Sequence, residues 1–320
     1  MLLYRVGFVL TESGYTWYGR VVGLWCWLII SDAAPSESRV ALRDEEVGEA
    51  TIPFIVAKAG LVRIVDLTDD AVILPVPERD RRWAAYALCD VEAPYRAHAR
   101  FIGAVDGDHA RAVVLVYALP SFTALLPCGD RCAVRAIMAE AESLPALIFL
   151  NVRDADLASV EARYQVERKW TMLRMVAGAD DLRLAPAVEA EVIRLALADL
   201  PALQALYALQ PNSIFTPPML EHGIYYGAYV AGTLVAVAGT HAISRRHRIA
   251  TIGNVFTRPA ARGRGLATDT TGAVAQALVQ DGARAVALNV AEDNPTAISI
   301  YHRLGFAMHM AYWEGYATLL

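Results

Sequence analysis

The 320-residue sequence has few charged residues and almost no cysteine. Charged residues make up 20% of the chain, with a formal net charge of −5. A net negative chain lacks the general basic face that binds nucleic acid, so no nucleic-acid partner is expected. Of the four cysteines, only Cys128 and Cys132 lie close together. One C-x3-C pair without a second pair of ligands is not a zinc motif, which predicts reduced thiols in the cytoplasm and no metal.

The sequence also lacks an apolar run long enough to cross a membrane. The run VVGLWCWLII spans only residues 21–30, whereas a spanning helix needs about 20 residues. A signal-peptide core has about this length, but here Glu12 precedes the run and the run starts late. A buried strand or short helix is the favoured interpretation. Peripheral membrane attachment through this run stays open as an alternative, and residues 1–60 form an N-terminal segment of uncertain role.

Two stretches about half a chain apart resemble each other. IFLNVRDADLASVEARY (148–164) and VALNVAEDNPTAISIY (286–301) each combine an apolar run ending in Leu-Asn-Val, an acidic turn, an amphipathic helix and a tyrosine. A helical segment precedes each stretch, CAVRAIMAEAE in the first case and LATDTTGAVAQALVQDG in the second. An apolar run precedes each helix, AVVLVYAL and ATIGNVFT. The sequence therefore predicts two copies of one α/β unit, over residues 61–180 and 181–320.

The two copies differ in the segment between strand and helix. The second copy has RPAARGRGLA there, whereas the first has PSFTALLPCGD, which we interpret as a loop with one glycine and no arginine. A glycine loop before a helix lets the backbone approach a ligand, and the helix end supplies unpaired N–H groups and a positive dipole. Together these features predict an anion site for phosphate. A Walker loop is excluded because Gly-Lys-Ser/Thr is missing, and Thr268 breaks the dinucleotide pattern G-x-G-x-x-G.

The second copy resembles the core of the GNAT N-acetyltransferase superfamily. Its cofactor motif, Arg/Gln-x-x-Gly-x-Gly/Ala, is matched by Arg262, Gly265 and Ala267, and Asn294, Tyr301 and then Arg-Leu-Gly-Phe follow in family order and spacing. The resemblance covers about residues 192–320. It implies mixed α/β units with central mixed β-sheets flanked by helices. The first half resembles a degenerate second copy, as in tandem members of this superfamily.

The resemblance also implies site residues and a co-substrate. The loop N–H groups would hold the pyrophosphate of coenzyme A, the preceding strand would pair with the pantetheine arm, and acetyl-CoA would be the acyl donor. The cofactor-binding residues implied are Val255, Phe256, Thr257, Arg262, Gly263, Arg264, Gly265, Leu266, Ala267, Thr268 and Asn294. Tyr301 lies seven residues after Asn294, two turns along the same helix face, and its phenol would protonate the leaving thiolate.

The base that takes a proton from the amine is not identified by a motif. His241 lies on the strand next to the cofactor strand and is the candidate base. Asn254 lies on the cofactor strand, and Glu221 and Tyr226 lie near the expected acceptor side. His247, in the basic turn SRRHRI, is interpreted as a solvated side chain. Tyr164, the counterpart of Tyr301, is interpreted as a core residue. No Cys-His pair suggests a covalent intermediate.

These observations predict an N-acetyltransferase in which a primary amine attacks acetyl-CoA directly. The amine acceptor, a small molecule or a protein, is not specified by the sequence, and neither is the oligomeric state, so a homodimer stays open. No membrane partner is expected. The alternative function is a non-catalytic acyl-CoA sensor or scaffold, because no general base stands out.

Overall fold

The computed structural model describes residues 62–120, 122–183, 191–210 and 213–320, together with the backbone of five strands nearer the N-terminus. The chain divides into two compact units, Met1–Leu61 and Val62–Leu320. In the first unit the strands pair antiparallel in chain order: β1 (Val6–Thr11), β2 (Gly14–Val21), β3 (Leu24–Ile30), β4 (Ser38–Asp44) and β5 (Gly48–Phe54). The backbone of Leu24–Ile30 is thus a strand, one of the two expected forms. The burial expected for this run, and its role at a membrane, lie outside the described residues.

The second unit alternates strands and helices, as expected for a mixed α/β protein. Its strands are β6 (Arg63–Leu67), β7 (Ala99–Asp106), β8 (His109–Leu119), β9 (Phe122–Gly129), β10 (Leu147–Val152), β11 (Tyr164–Gly178), β12 (Glu191–Arg194), β13 (Tyr226–Val230), β14 (Thr233–Ser244), β15 (Ile249–Thr257), β16 (Ala285–Ala291) and β17 (Ala307–Leu319). Its helices are α1 (Asp70–Ile73), α2 (Ala85–Asp90), α3 (Arg131–Glu140), α4 (Asp154–Glu161), α5 (Leu200–Tyr207), α6 (Pro217–His222), α7 (Leu266–Gln280) and α8 (Pro295–Arg303). Within the described ranges, no helix is long and apolar enough to span a membrane.

One continuous sheet of 12 strands runs through the second unit. Its order is β12-β13-β14-β15-β16-β11-β17-β10-β9-β8-β7-β6. All neighbours are antiparallel except β9–β10 and β15–β16, which are parallel. The mixed α/β class is therefore confirmed, while the two sheets expected from the sequence are joined into one.

The join is made by an exchange of last strands. We call residues 62–183 the N-terminal half and residues 191–320 the C-terminal half. β11 ends the N-terminal half but pairs with β16 of the C-terminal half, and β17 ends the chain but pairs with β10 of the N-terminal half. β11 and β17 also pair with each other along most of their lengths. Each half therefore completes the sheet of the other.

Helices cover both faces of this sheet. On one face, α3 and α4 pack over the N-terminal half and α7 and α8 over the C-terminal half, with Val134, Ile137, Val274 and Leu278 fully buried. The opposite face carries α1, α2, α5 and α6. There α2 belongs to the N-terminal half but packs on strands of the C-terminal half, through a cluster that contains Ala85, Leu88, Cys89, Ala242, Ile249 and Ala287. The N-terminal half thus supplies part of the cover of the C-terminal half.

The segment PSFTALLPCGD is not a loop, contrary to the expectation. Residues 122–129 form β9, so the strand that matches β15 is β9 and not the apolar run in β8. The error arose at Pro127 and Gly129, which normally indicate a turn. Pro127 is tolerated in the strand opposite Val114 because β10 pairs with β9 only at Ala124 and Leu125, so no neighbouring strand requires an N–H from residue 127. Its carbonyl accepts a hydrogen bond from the Trp83 indole at 2.8 Å.

Candidate functional site

A gap opens in the sheet of the C-terminal half where two parallel strands part. β15 and β16 pair only from Ile249–Ala285 to Ile252–Leu288, although β15 continues to Thr257 and β16 to Ala291. An irregularity in the pairing of β14 with β15 accompanies the parting, and Asn254 has a left-handed φ of 52° there. A gap at the carboxyl ends of parallel strands is where α/β sheets bind ligands.

The glycine loop leads from this gap into α7. Gly263 and Gly265 have φ of 79° and 81°, a conformation that favours glycine, and Gly265 is the N-cap of α7. A Cβ on Gly263 would meet nothing within 4 Å. No side chain in the described part of the chain caps α7, so the first N–H groups of the helix, at Leu266, Ala267 and Thr268, are available to a ligand. The predicted phosphate loop therefore has the required backbone.

The strand before the loop carries unpaired polar atoms. The Thr257 hydroxyl and the Arg258 Nε are buried and make no hydrogen bond to the described residues. Val255, Phe256 and Thr257 are half-buried, whereas Arg262, Gly263, Arg264 and Gly265 are exposed. The Arg262 Nε donates to the Thr257 carbonyl at 3.3 Å. Exposed guanidinium groups beside an uncapped helix end produce a positive field suited to phosphates.

Helix α8 carries the other two residues of the predicted constellation. Asn294 is its N-cap and accepts a hydrogen bond from the Ala297 N–H at 3.1 Å. Tyr301 is 7% exposed, its ring lies edge-on to Phe306, and burial raises the pKa of its phenol to about 12. It belongs to the same buried cluster as Ile252 and Leu288, the last paired residues before the gap. A phenol that keeps its proton at neutral pH can act as a proton donor there.

His241 lies at a second irregularity in the pairing of β14 with β15. One additional residue of β14 lies between the Thr240 and Ala242 pairs, and His241 is that residue. Its ring lies directly over Gly253, where a Cβ would collide with the imidazole. Burial lowers the pKa of His241 to about 4, so the ring is neutral at pH 7. Its Nδ1 shares a hydrogen bond of 3.0 Å with the Tyr86 hydroxyl, and its Nε2 is buried without a partner among the described residues.

The structure separates the other residues proposed for the acceptor side. The Asn254 amide donates to the Tyr225 hydroxyl at 2.8 Å, and the Asn254 carbonyl accepts from the Tyr207 hydroxyl at 2.5 Å. Asn254 therefore lies beside His241 on the face that carries α5 and α6. Tyr226 packs against the cluster under α7, on the opposite face, and Glu221 is exposed on α6.

His247 is not solvated, in contrast to the expectation. Its side chain is 9% exposed, and its Nδ1 lies 3.0 Å from the Glu78 carboxylate. Arg81 donates to its backbone carbonyl. A segment of the N-terminal half packs on this turn and buries the side chain, and the local sequence carries no signal of that contact. Tyr164, in contrast, is 1% exposed, so its interpretation as core is confirmed.

Two residues that sequence reasoning missed are Tyr86 and Tyr225. Tyr86 reaches His241 from the N-terminal half, and Tyr225 connects Asn254 to the Thr240 carbonyl. Neither belongs to a motif. For Tyr225 a signal was available at Gly239, inside β14, where a Cβ would collide with the Tyr225 ring, because a glycine inside a strand often marks a close approach of another group.

The equivalent end of the N-terminal half is occupied by its own side chains. Trp83 donates to the Pro127 carbonyl, and the Arg153 Nη2 donates to the Gly129 carbonyl at 3.1 Å. Asp130 caps α3 by accepting from the Ala133 N–H at 3.0 Å. A cavity of 120 Å³ remains beside these groups. A carboxylate at the helix start opposes anion binding, so the two ends of the sheet differ in chemistry.

Comparison with known proteins points to one family. Residues 195–306, about a third of the chain, match the sequence model of the acetyltransferase (GNAT) family. No curated protein matches the sequence.

Among solved structures, a Drosophila protein shares 14% identity and a TM-score of 0.61, covering 82% of this chain and 99% of its own. A GCN5-related N-acetyltransferase from Kribbella flavida shares 18% identity and a TM-score of 0.53, covering 74% and 94%. A tandem GNAT protein from the clavulanic acid biosynthesis pathway shares 12% identity and a TM-score of 0.51, covering 81% and 98%. At these identities the likeness shows a common fold.

Proposed function

We propose that the C-terminal half is an acyl-CoA-dependent N-acyltransferase that transfers acetyl from acetyl-CoA to a primary amine. One observation carries the proposal: the glycine loop enters an uncapped helix end directly beside the gap between β15 and β16. The family match over residues 195–306 supports it, because it covers the gap, the loop and Tyr301 together. The domain boundaries near residues 60 and 180 belong to the same proposal, with residues 61–180 as a supporting half.

The residues around the gap fit coenzyme A by their chemistry. The N–H groups at the start of α7 and the exposed Arg262 and Arg264 would bind the pyrophosphate. The unpaired edge of β15 beyond Ile252 offers backbone groups to an extended arm. The Thr257 hydroxyl and the Arg258 Nε are buried without partners among the residues that the structure describes, and such a ligand would supply hydrogen-bond partners for them.

The proposed reaction is a direct displacement. The amine nitrogen attacks the thioester carbonyl, a C–N bond forms, the C–S bond breaks, and the products are an amide and free coenzyme A. The neutral Nε2 of His241 accepts the proton that the amine loses, and the Tyr301 phenol donates a proton to the departing sulfur. The acceptor is a small-molecule or protein amine, and a homodimer stays compatible with this scheme.

The sensor or scaffold function remains the second candidate, and one observation favours it. A buried histidine with a pKa near 4 is a weak base. Turnover separates the two functions: release of free thiol from acetyl-CoA that depends on an added amine requires an enzyme. Acetyl-CoA binding without turnover across small amines and peptide N-termini favours the sensor.

The first experiment is isothermal titration of acetyl-CoA into the wild type and into Gly265→Trp. We expect one site per chain in the wild type, because the N-terminal counterpart is filled by Trp83 and Arg153. A bulky side chain at Gly265 should block the approach of the pyrophosphate and abolish binding. Gly282→Trp is the matched control, because Gly282 also has positive φ, 97°, and lies in open space at the other end of α7. Absence of binding in the wild type would remove the proposal.

A further inference from the structure

One residue inside a strand has a backbone conformation that L-residues rarely adopt. In the part of the chain that the structure describes, three non-glycine residues have a left-handed φ: Ala231 at 48°, Arg248 at 53° and Asn254 at 52°. Ala231 and Arg248 lie in the turns on either side of β14, whereas Asn254 lies within β15. Asparagine tolerates this conformation better than most residues, because its short side chain can form hydrogen bonds nearby. Such a residue within a strand points to a functional constraint.

Asn254 lies in a β-bulge where β15 leaves β16. Two residues of β15, Asn254 and Val255, lie opposite the single residue Ala238 of β14. A bulge whose first residue is left-handed usually has glycine at that position, and it bends the strand and increases its twist. The last pair between β15 and β16, Ile252–Leu288, lies directly before this bulge. The bend at Asn254 therefore accounts for the parting of the two strands.

Two buried tyrosines hold Asn254 from the face of the sheet that carries α5 and α6. The Asn254 Nδ2 donates to the Tyr225 hydroxyl at 2.8 Å, and the Tyr207 hydroxyl, at the end of α5, donates to the Asn254 carbonyl at 2.5 Å. The same Nδ2 lies 3.5 Å from the Met219 sulfur on α6. The Phe215 ring packs against both tyrosines, with centroids 4.9 Å from Tyr207 and 5.7 Å from Tyr225. The side chain and the carbonyl of Asn254 are thus both fixed by a packed aromatic cluster.

We propose that Asn254 is a positioning residue that holds the gap between β15 and β16 open before acyl-CoA binds, and that Tyr207 of α5 keeps it in its left-handed conformation. A straight β15 would continue beside β16, and the backbone edge offered to the extended arm would then be paired within the sheet. The bulge keeps this edge free in advance, which strengthens binding by preorganisation. The identity of the ligand rests on the proposed function, whereas the open gap and its dependence on Asn254 rest on strand pairing and hydrogen bonds.

Hydrogen exchange of the full-length protein tests the open gap without any ligand. In Asn254→Val a β-branched residue resists the left-handed conformation, so β15 should straighten and pair with residues 289–291 of β16. Mass spectrometry should then show slower amide exchange in peptides that cover residues 286–294. A merely structural role predicts the opposite sign, because a loss of stability speeds exchange. Asn254→Gly adopts the left-handed conformation freely and should exchange like the wild type. Unchanged or faster exchange in Asn254→Val overturns the proposal.

Calorimetric titration with acetyl-CoA tests the consequence for binding. Asn254→Val should weaken the affinity about 10-fold, whereas Asn254→Gly should stay within about 3-fold of the wild type. Ala231→Val is the matched control, because it places the same side chain at a left-handed residue in a turn outside β15. An equal loss of affinity in Asn254→Val and Ala231→Val contradicts a role at the gap.

Tyr207→Phe tests the contribution of α5 and leaves the sequence of β15 unaltered. Loss of the hydroxyl frees the Asn254 carbonyl and should weaken acetyl-CoA binding about 5-fold. Tyr229→Phe is its control, because that hydroxyl packs in the same region but bonds Asp199, at 3.0 Å. Equal affinity in Tyr207→Phe and the wild type overturns the role of Tyr207. Wild-type protein that does not bind acetyl-CoA removes the proposed function, and the exchange of residues 286–294 then still decides whether Asn254 holds the gap open.

Discussion

Burial sets the protonation states of the two candidate proton carriers. The pKa of Tyr301 rises to about 12 and that of His241 falls to about 4, each because the charged form is poorly solvated. Between these values the phenol keeps its proton and the imidazole lacks one. The site therefore holds one donor and one acceptor throughout the physiological pH range, without a titration near pH 6.5.

The buried imidazole predicts a pH dependence of stability. A histidine whose folded pKa lies near 4 and whose unfolded pKa is about 6.5 favours folding fully above pH 6.5 and loses that contribution as the pH falls to 4. The full loss is at most about 3 kcal/mol, from about 1.4 kcal/mol for each pKa unit. The free energy of unfolding in urea, measured from pH 7 to pH 4.5, should therefore fall more in the wild type than in His241→Gln. Parallel curves for the two proteins would contradict the buried, neutral imidazole.

Tyr301 and its counterpart Tyr164 provide a matched pair for catalysis. Tyr301→Phe removes the proposed proton donor and should lower kcat about 100-fold, with little change in acetyl-CoA affinity. Tyr164→Phe removes a hydroxyl that donates to the Pro145 carbonyl at 2.8 Å, which should cost about 1 kcal/mol of stability and leave turnover intact. Thiol-release assays and urea unfolding measure the two effects. If Tyr301→Phe loses stability but keeps its turnover, Tyr301 is a core residue and not a proton donor.

At the level of elements, α7 and α8 are each followed by a glycine with positive φ, but the two glycines have different surroundings. Gly282 follows α7 and Gly305 follows α8, and both have a φ of 97°. A Cβ at Gly282 would meet nothing within 4 Å, whereas one at Gly305 would collide with the Asp181 carbonyl. The Leu-Gly-Phe segment is therefore constrained by backbone packing as well as by the turn.

These two glycines separate conformational strain from steric overlap. Gly282→Ala should cost about 1 kcal/mol, because an L-residue is strained at positive φ. Gly305→Ala should cost about 3 kcal/mol, because the backbone of residue 181 must also move. Chemical denaturation of both variants measures the difference. Equal losses of stability in the two variants would show that the backbone near Asp181 moves to accommodate the Cβ at no cost in free energy.

The sequence predicted elements well where the signal was local. The helix over residues 266–280, the hairpin at Ala231–Gly232 and the strand ending in Leu-Asn-Val are all present. β9 was missed because Pro127 indicates a turn, and only the pairing of β9 with β8 and β10 reveals why it is tolerated. The loop glycines were found from a motif, whereas the role of Asn294 as the N-cap of α8 appears only in the structure. Contacts of His241 and His247 with residues more than 150 positions away leave no periodic trace in the sequence.

At the scale of the whole molecule, the halves are joined by the exchange of β11 and β17. Tyr164 pairs with Leu319 and Val176 with Ala307, so the two strands run beside each other through the middle of the sheet. A division of the chain near residue 184 therefore does not divide the sheet. Each half alone would expose the edge of a central strand.

Separate fragments test this interdependence. Residues 62–183 and 191–320, expressed apart, should be unstable or aggregate, because β10 and β16 then lack their partners. Co-expressed, the fragments should form a 1:1 complex that elutes together in size-exclusion chromatography. Two fragments that are folded and monomeric on their own would contradict an obligatory exchange.

The long sequence distance between β10 and β17 has a consequence during translation. β10 is synthesised about 160 residues before the strand that covers its edge. At about 5–20 residues per second, that edge waits about 8–32 seconds for its partner strand to be synthesised. The N-terminal half thus cannot finish folding as an independent cotranslational unit. A chain that stops before β17 should leave β10 and β11 without the strand they share, so that the defect lies in the sheet common to both halves rather than in one of them.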